Sequence, residues 1–259
     1  MQERVIGIMG ALPEEINGIV QLLEDKQEYS SGKRIYFTGK IQGIQTVVVF
    51  SRWGKVAAAT TVSTLLLQFH VTEIIFTGVA GAIHPQLNIG DVVVAKRLVQ
   101  HDLDGRPLMA EFEIPLLNIS YIEVRPKQLD IASKAVNRLI DPNRFTSVVS
   151  AEELKQFNIS NPQLWMGDIA SGDKFFAKNS DKEALLKKLP EVLCVEMEGA
   201  AVAQVCYEYD IPFTVIRTIS DAADERSAID FPGFTGKIAN KYAVEIIQNI
   251  FRQSHETRM

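Results

Sequence analysis

Acidic side chains recur directly after short apolar runs in this sequence. Glu14 and Glu15 follow the run at residues 4–9, and Glu196 and Glu198 stand at the end of the run at 192–197. Arg217, Thr218, Ser220 and Asp221 close the run at 212–219. Two carboxylates spaced by two at a strand end point to the same side. Burying like charges is costly, so Glu196 and Glu198 call for a partner cation, bound hydroxyls or a protonated member. With Arg217 and Asp221 nearby in type and no metal motif to account for them, the set suits acid/base work on a polar, hydroxyl-rich substrate. Each piece also has a plainer reading. Glu14 and Glu15 suit the positive end of a helix, Asp221 suits a cap or turn, and Glu196 and Glu198 suit a solvated surface. The apolar flanks, Cys194-Val195 and Gly199-Ala200-Ala201, weigh against that surface reading. Gly78-Val79-Ala80-Gly81 would let a ligand approach the backbone or simply make a tight turn. Phe175 and Phe176 would wall a flat ring or join the core.

The elements that must position these groups follow from the pattern of apolar residues. Runs at 4–9, 73–77, 91–99, 145–150, 167–171, 192–197 and 212–219 read as strands, and 35–39 with 46–51 as a hairpin around Gly43. Helices are expected from Pro13 to Leu23 and over 55–69, 127–139, 181–189, 199–209 and 235–251. Residues 105–127, irregular and proline-rich, read as a long functional loop. Strands alternate with helices nearly throughout. The expected fold is therefore a single α/β domain over residues 1–259, with a mostly parallel twisted central sheet flanked by helices on both faces. In such sheets ligands sit at the carboxyl ends of strands, where the acidic groups lie.

Composition narrows the function class. The chain has 259 residues, 46% hydrophobic, with a net charge of −5, and no Lys/Arg block to meet a phosphate backbone. Nucleic acid and membrane are excluded as expected partners, since no apolar run approaches the ~18 residues of a span. Cys194 and Cys206 sit in apolar stretches and read as reduced core thiols of a cytoplasmic protein. No paired ligand spacing supports a metal, and no cofactor is expected. Neither GxGxxG nor a P-loop occurs, which removes the dehydrogenase and ATP-site readings.

Five segments occur in order: Gly10-Ala-Leu-Pro-Glu-Glu-Ile16, Thr77-Gly-Val-Ala-Gly81, Ser171-Gly-Asp-Lys-Phe175, Val195-Glu-Met-Glu-Gly-Ala200 and Arg217-Thr-Ile-Ser-Asp221. Together they resemble the 5′-methylthioadenosine/S-adenosylhomocysteine nucleosidases of the purine nucleoside phosphorylase superfamily, from about Ile6 to the last helix. The resemblance implies hydrolysis of the N-glycosidic bond of 5′-substituted adenosines, with adenine released, a nucleoside-phosphorylase-like fold, a homodimer and a place in methionine salvage. It implies Asp221 as the acid that protonates N7 of adenine, oriented by Ser220, and Glu15 as the partner of the attacking water, with Arg217 and Glu196 beside it. Glu198 would hold the ribose hydroxyls and Met197 pack on the sugar. Phe175 would stack on adenine, the Phe176 backbone bind its edge, and Phe231 help close the site. Leu12, Val79, Ala80 and Gly81 would line the nucleoside.

Three departures stand out. Val79 occupies a turn position where a Ser or Thr is common. Trp53 stands where smaller aliphatic residues often line the 5′ pocket. The segment from Gly105 to Phe112 differs from better-known members, and from it Leu108 would reach the partner subunit's site. Two rivals share the fold. A phosphorylase needs cationic donors for phosphate, which Arg52 and Arg217 alone could offer, whereas Glu15 would repel it. A binding protein without catalysis should have lost Glu15, Glu198 or Asp221, and all three are present.

Overall fold

The computed structural model describes residues 3–256, apart from the side chains at 228–230, 232 and 254–256. In chain order the elements are β1 (Val5–Gly10), α1 (Pro13–Val20), β2 (Glu24–Ser31), β3 (Arg34–Ile41), β4 (Ile44–Phe50), α2 (Lys55–Leu67), β5 (Glu73–Ala82) and β6 (Val92–Gln100). There follow β7 (Tyr121–Glu123), α3 (Pro126–Ile140), α4 (Pro142–Val148), α5 (Ala151–Gln156), β8 (Leu164–Ser171), α6 (Asn179–Lys188) and β9 (Val192–Glu196). The last are α7 (Gly199–Glu208), β10 (Phe213–Asp221), α8 (Ser227–Phe234), a π-helical turn at Thr235–Ala239 and α9 (Asn240–Glu256).

The sheet corrects the expectation of a mostly parallel one. It is mixed, and part of it closes. β5 pairs with β10 in parallel, β10 with β6 antiparallel, β6 with β8 and β8 with β9 in parallel, and β9 returns antiparallel to Gly81 and Ala82 of β5. Beyond this ring, β1 joins the first half of β5, and β4, β3 and β2 extend outward. The length of β5 makes closure possible. Residues 73–76 pair with β1 along the edge that Gly81 and Ala82 use to meet β9. Strand direction depends on which runs pair, and that cannot be read from runs that are apolar on both faces. β5 and β10, buried almost end to end, occupy the middle because each carries a nearly continuous apolar run.

A small cluster gathers Phe176, Leu185, Val192 and Ala223, and two larger cores lie on the two sides of the sheet. One packs Ile16, Ile19, Ala135, Leu139, Tyr242, Ile246 and Phe251 of α1, α3 and α9; the other packs Ala58, Val62, Leu65, Val202 and Cys206 of α2 and α7. Helices on both faces agree with the expectation. Both cysteines are buried and free. No helix among the described residues is long and apolar enough to cross a membrane.

Several elements differ from the sequence reading. Residues 145–150, expected as a strand, lie largely in α4, where Pro142 opens the helix and Asp141 accepts the Asn143 and Arg144 amides. β2 was not expected, because Glu24-Asp-Lys-Gln-Glu-Tyr-Ser-Ser31 lacks apolar alternation. It is an exposed edge strand held by β3, and its charges suit an edge. The closing helix starts as a π turn, so α9 proper begins at Asn240. The segment 105–127 holds β7 and the first turn of α3, and none of its residues lines the cleft described next.

Candidate active site

The carboxyl ends of β1, β5, β8, β9 and β10 converge on one partly open cleft. Its wall includes Leu12, Glu15, Trp53, Val79, Ala80, Gly81, Phe175, Phe176, Glu196, Met197, Glu198, Ser220, Asp221 and Phe231. These are all of the expected site residues except Arg217 and Leu108. Arg217 lies directly beneath and is 1% exposed. Leu108 is 88% exposed and contributes nothing to the cleft of its own chain.

β1 ends at Gly10 and Pro13 starts α1, so Glu15 falls in the first turn, facing back over the strand ends. Of the two acidic residues there, Glu14 stays exposed and Glu15 is buried. One Glu15 oxygen accepts the amides of Ala11 at 2.6 Å and Leu12 at 2.9 Å, and the other accepts the Val79 amide at 3.1 Å. Glu15 therefore both caps its helix and points its carboxyl at the cleft. Burial pushes it above the ordinary carboxylate range, against Arg217 and the three amides that favour the charged form. The approach is close: a Cβ on Gly78 would come within 2.7 Å of Glu15 Oε1.

Glu196 and Glu198 divide their labour. Glu196 takes Arg217 Nη2 at 2.7 Å, the Glu198 amide at 3.1 Å, the Gly199 amide at 2.8 Å and the Ser171 hydroxyl. Ser171 Oγ in turn accepts the Ala200 amide at 2.7 Å, at the start of α7. This is the partner cation that the buried pair called for. Glu198 has no such partner. It accepts only the Gly54 amide, at 2.8 Å on Oε1. Burial, then the Glu196 carboxylate, pushes Glu198 up to about 8.

Arg217 is committed. Its Nη1 donates to the Phe76 carbonyl at 3.3 Å and the Ile216 carbonyl at 3.1 Å, and its guanidinium lies 4.0 Å from the Phe76 ring centre. Arg52 turns away, donating to the Lys33 carbonyl at 2.6 Å. The one cationic side chain on the cleft wall, among the described residues, is Lys174, and it is bridged to Asp181 at 2.7 Å.

Asp221 ends β10, 3% exposed. Its Oδ2 accepts the Ser220 hydroxyl at 2.6 Å and its Oδ1 the Ala223 amide at 3.0 Å. Opposite, Phe175, Phe231 and Trp53 form a row, each ring edge-on to the next with centres 6.0 Å apart. Trp53 is 50% exposed and forms the rim. Phe176 is buried, with His101 edge-on at 5.3 Å. The arrangement offers four carboxyl groups, one of them (Glu196) committed to Arg217, and an aromatic wall in one mainly apolar cleft. That suits protonation of a leaving group on one side and activation of water on the other. Among the described residues no His/Cys/Asp/Glu group is placed to hold a metal ion.

Sequence reasoning passed over Ser171, Gly54, Lys174 and Ala223. Ser171 and Lys174 lay inside a quoted segment without a role. Gly54 and Ala223 act through backbone amides, which leave no side-chain signal. Ala223 has φ +52°, an unusual value for a residue with a Cβ.

Residues 5–252 match the Phosphorylase superfamily. The chain is 31% identical over 96% of its length to a 5′-methylthioadenosine/S-adenosylhomocysteine nucleosidase of Oceanobacillus iheyensis, covering 99% of that protein. It is 34% identical to the aminodeoxyfutalosine nucleosidase of Helicobacter pylori, over 92% of this chain and 94% of that one. Among solved structures, the S-adenosylhomocysteine nucleosidase of Streptococcus pyogenes in complex with 5-methylthiotubericidin superposes with a TM-score of 0.83 at 32% identity, covering 98% of both chains.

Proposed function

The chain belongs to the Phosphorylase superfamily and, within it, to the 5′-methylthioadenosine/S-adenosylhomocysteine nucleosidases, and from that premise we infer how its cleft works. It is a hydrolase that cleaves the N-glycosidic bond of 5′-substituted adenosines. 5′-Methylthioadenosine, S-adenosylhomocysteine and 6-amino-6-deoxyfutalosine fall within that class, and adenine and the 5′-substituted ribose are the products.

Asp221 gives its proton to N7 of adenine as the C–N bond breaks, and the bonding pair leaves with the base. Ser220 and the Ala223 amide hold the carboxyl in place for that transfer. The ribose left behind carries positive charge, which Glu198 and Glu196 stabilise electrostatically. Glu198 accepts the ribose hydroxyls, its second oxygen having no amide partner, and Met197 packs on the sugar. Glu15 takes the proton of the attacking water. Phe175 stacks on the base, Phe176 presents its backbone to the base edge, and Phe231 closes over them. Trp53 at the rim meets the 5′ group.

The observation that carries water over phosphate is the commitment of the cations. Arg217 is spent on Glu196 and two carbonyls, Arg52 on Lys33, and Lys174 on Asp181. A dianion entering beside Glu15 would meet a carboxyl group and, among the described residues, no unpaired donor cation on the wall. Adenine release from 5′-methylthioadenosine is expected at the same rate with and without phosphate; an absolute need for phosphate would refute hydrolysis. The enzyme is further assigned to the cytoplasm and to methionine salvage, as a homodimer in which Leu108 reaches the partner's cleft. Two buried free cysteines support the compartment, an exposed leucine on an irregular loop supports the dimer, and the pathway rests on the family resemblance.

A further inference from the structure

Outside the cleft wall, one cation touches the loop that carries the acid. Lys182 belongs to the first turn of α6, where the positive end of the helix disfavours an ammonium group. A tertiary contact holds it there: Nζ donates to the Ala222 carbonyl at 3.0 Å. That carbonyl and the Ala223 amide are the two ends of one peptide group. The Ala223 amide donates to Asp221 Oδ1 at 3.0 Å. An ammonium, a peptide and a carboxyl group thus stand in line, each polarising the next. Ala223 adopts φ +52°, so the turn is one the backbone does not favour by itself. A second tie from α6 holds the same loop, the Asn179 amide and side chain on Glu225 at 3.1 and 2.9 Å. Burial pushes the Lys182 ammonium down, while Asp224 and then Asp221 hold it up.

We propose that Lys182 is a positioning residue for Asp221: through the Ala222–Ala223 peptide it orients Oδ1 and favours the carboxylate that remains once the proton has gone to the base. The proposal rests on Asp221 acting as the acid. Its consequence is unlike that of a structural prop. Removing the charge leaves the Ala222–Ala223 peptide less polarised and the carboxyl group less well held, so proton transfer to the base slows. The loss falls on kcat rather than on KM, and it depends on Asp221 being there to give the proton.

Among the described residues, the other charged groups near Asp221 and Lys182 include Asp224, Glu225 and Arg226 on the loop, Glu15 on α1, Glu196 and Glu198 at the end of β9, Arg217 on β10, and Lys174 with Asp181. All remain in a Lys182 variant, so the difference between variant and wild type isolates Lys182. The experiment measures kcat and KM separately for adenine release from 5′-methylthioadenosine at about pH 7. It compares the full-length wild type with Lys182→Met, Lys182→Gln and Lys182→Arg. The Met and Gln variants are expected to lose about threefold to tenfold in kcat with KM within about twofold, and the same substitutions in an Asp221→Asn background should change the residual rate by less than about twofold. Arg, which keeps the charge, should stay within about twofold of the wild type. An unchanged kcat in whichever neutral variant folds, or the same loss in the Asp221→Asn background, overturns the proposal. A wild type that releases no adenine overturns the parent reading instead.

Discussion

Asp221 and Glu198 face one cleft from different surroundings. Asp221 has a donor on each oxygen, whereas Glu198 has a single amide and a like-charged neighbour. Asp221→Asn keeps the shape and an acceptor for Ala223 but cannot give up a proton. Adenine release is expected to fall by about 10²–10⁴ with a melting temperature near that of the wild type, as read by a coupled adenine assay and calorimetry. Near-normal turnover would remove Asp221 from its role. Glu198 makes a prediction about stability. Its carboxyl ionises near its ordinary value of 4.5 in the unfolded chain and near about 8 in the folded one. The folded state therefore binds more protons across that window, and stability falls as pH rises through it. Glu15, also raised, adds to the decline. Glu198→Gln keeps the Gly54 contact and loses the charge. Without ligand at pH 8 it should melt about 3–6 °C above the wild type while losing most of its activity; a variant that melts lower at pH 8 would contradict this.

Among the elements, β9 and β10 are not neighbours in the sheet, and the bridge from Arg217 to Glu196 crosses between them. Both side chains are buried, so removing one strands the other. Arg217→Met is expected to cost about 3–5 kcal/mol in urea unfolding. Arg217→Met with Glu196→Gln should recover a good part of that, since no charge is then left unpaired. The meeting of α1 and β5 is equally tight. Gly78→Ala would drive a methyl to within 2.7 Å of Glu15 Oε1, and that oxygen is tied to the Val79 amide. The expectation is a loss of about 1–3 kcal/mol and a fall in kcat larger than any rise in KM. Gly236→Ala is the control: nothing lies within 4 Å of its Cβ position, and stability and activity should both hold.

For the whole molecule, closure of β5, β10, β6, β8 and β9 into a ring brings four strand ends round one opening, and β1 adds Glu15 from the side. That opening is complete in one chain except for what a second copy would add. Leu108, 88% exposed, should tolerate Leu108→Asp with stability unchanged within about 0.5 kcal/mol. If it serves the partner's cleft, the variant loses activity. Mixed with Asp221→Asn it should then regain some, because the Asp221→Asn subunit offers a wild-type Leu108 to an intact Asp221. Lack of regain in verified mixed dimers would place Leu108 outside the site.

The order of the acidic segments, their place after apolar runs, and the helices that bury apolar stripes were all legible along the chain, because they depend on local composition and period. The pairs Glu14–Glu15 and Glu196–Glu198 and the segment ending in Asp221 could be singled out that way, while the roles of single residues came from the family resemblance. Tertiary structure alone decided the rest. It chose Glu15 over Glu14, since only one side chain in that turn faces the strand ends. It gave Arg217 to Glu196 and left Glu198 without a cation, a matter of how the closed sheet brings the ends of two non-adjacent strands together. It made the sheet mixed and closed, because runs apolar on both faces carry no mark of direction. Charged β2 was drawn into the sheet by its hairpin partner rather than by any pattern of its own. The amides of Gly54, Val79 and Ala223, which hold Glu198, Glu15 and Asp221, belong to every residue type alike, so nothing short of the folded backbone could point to them.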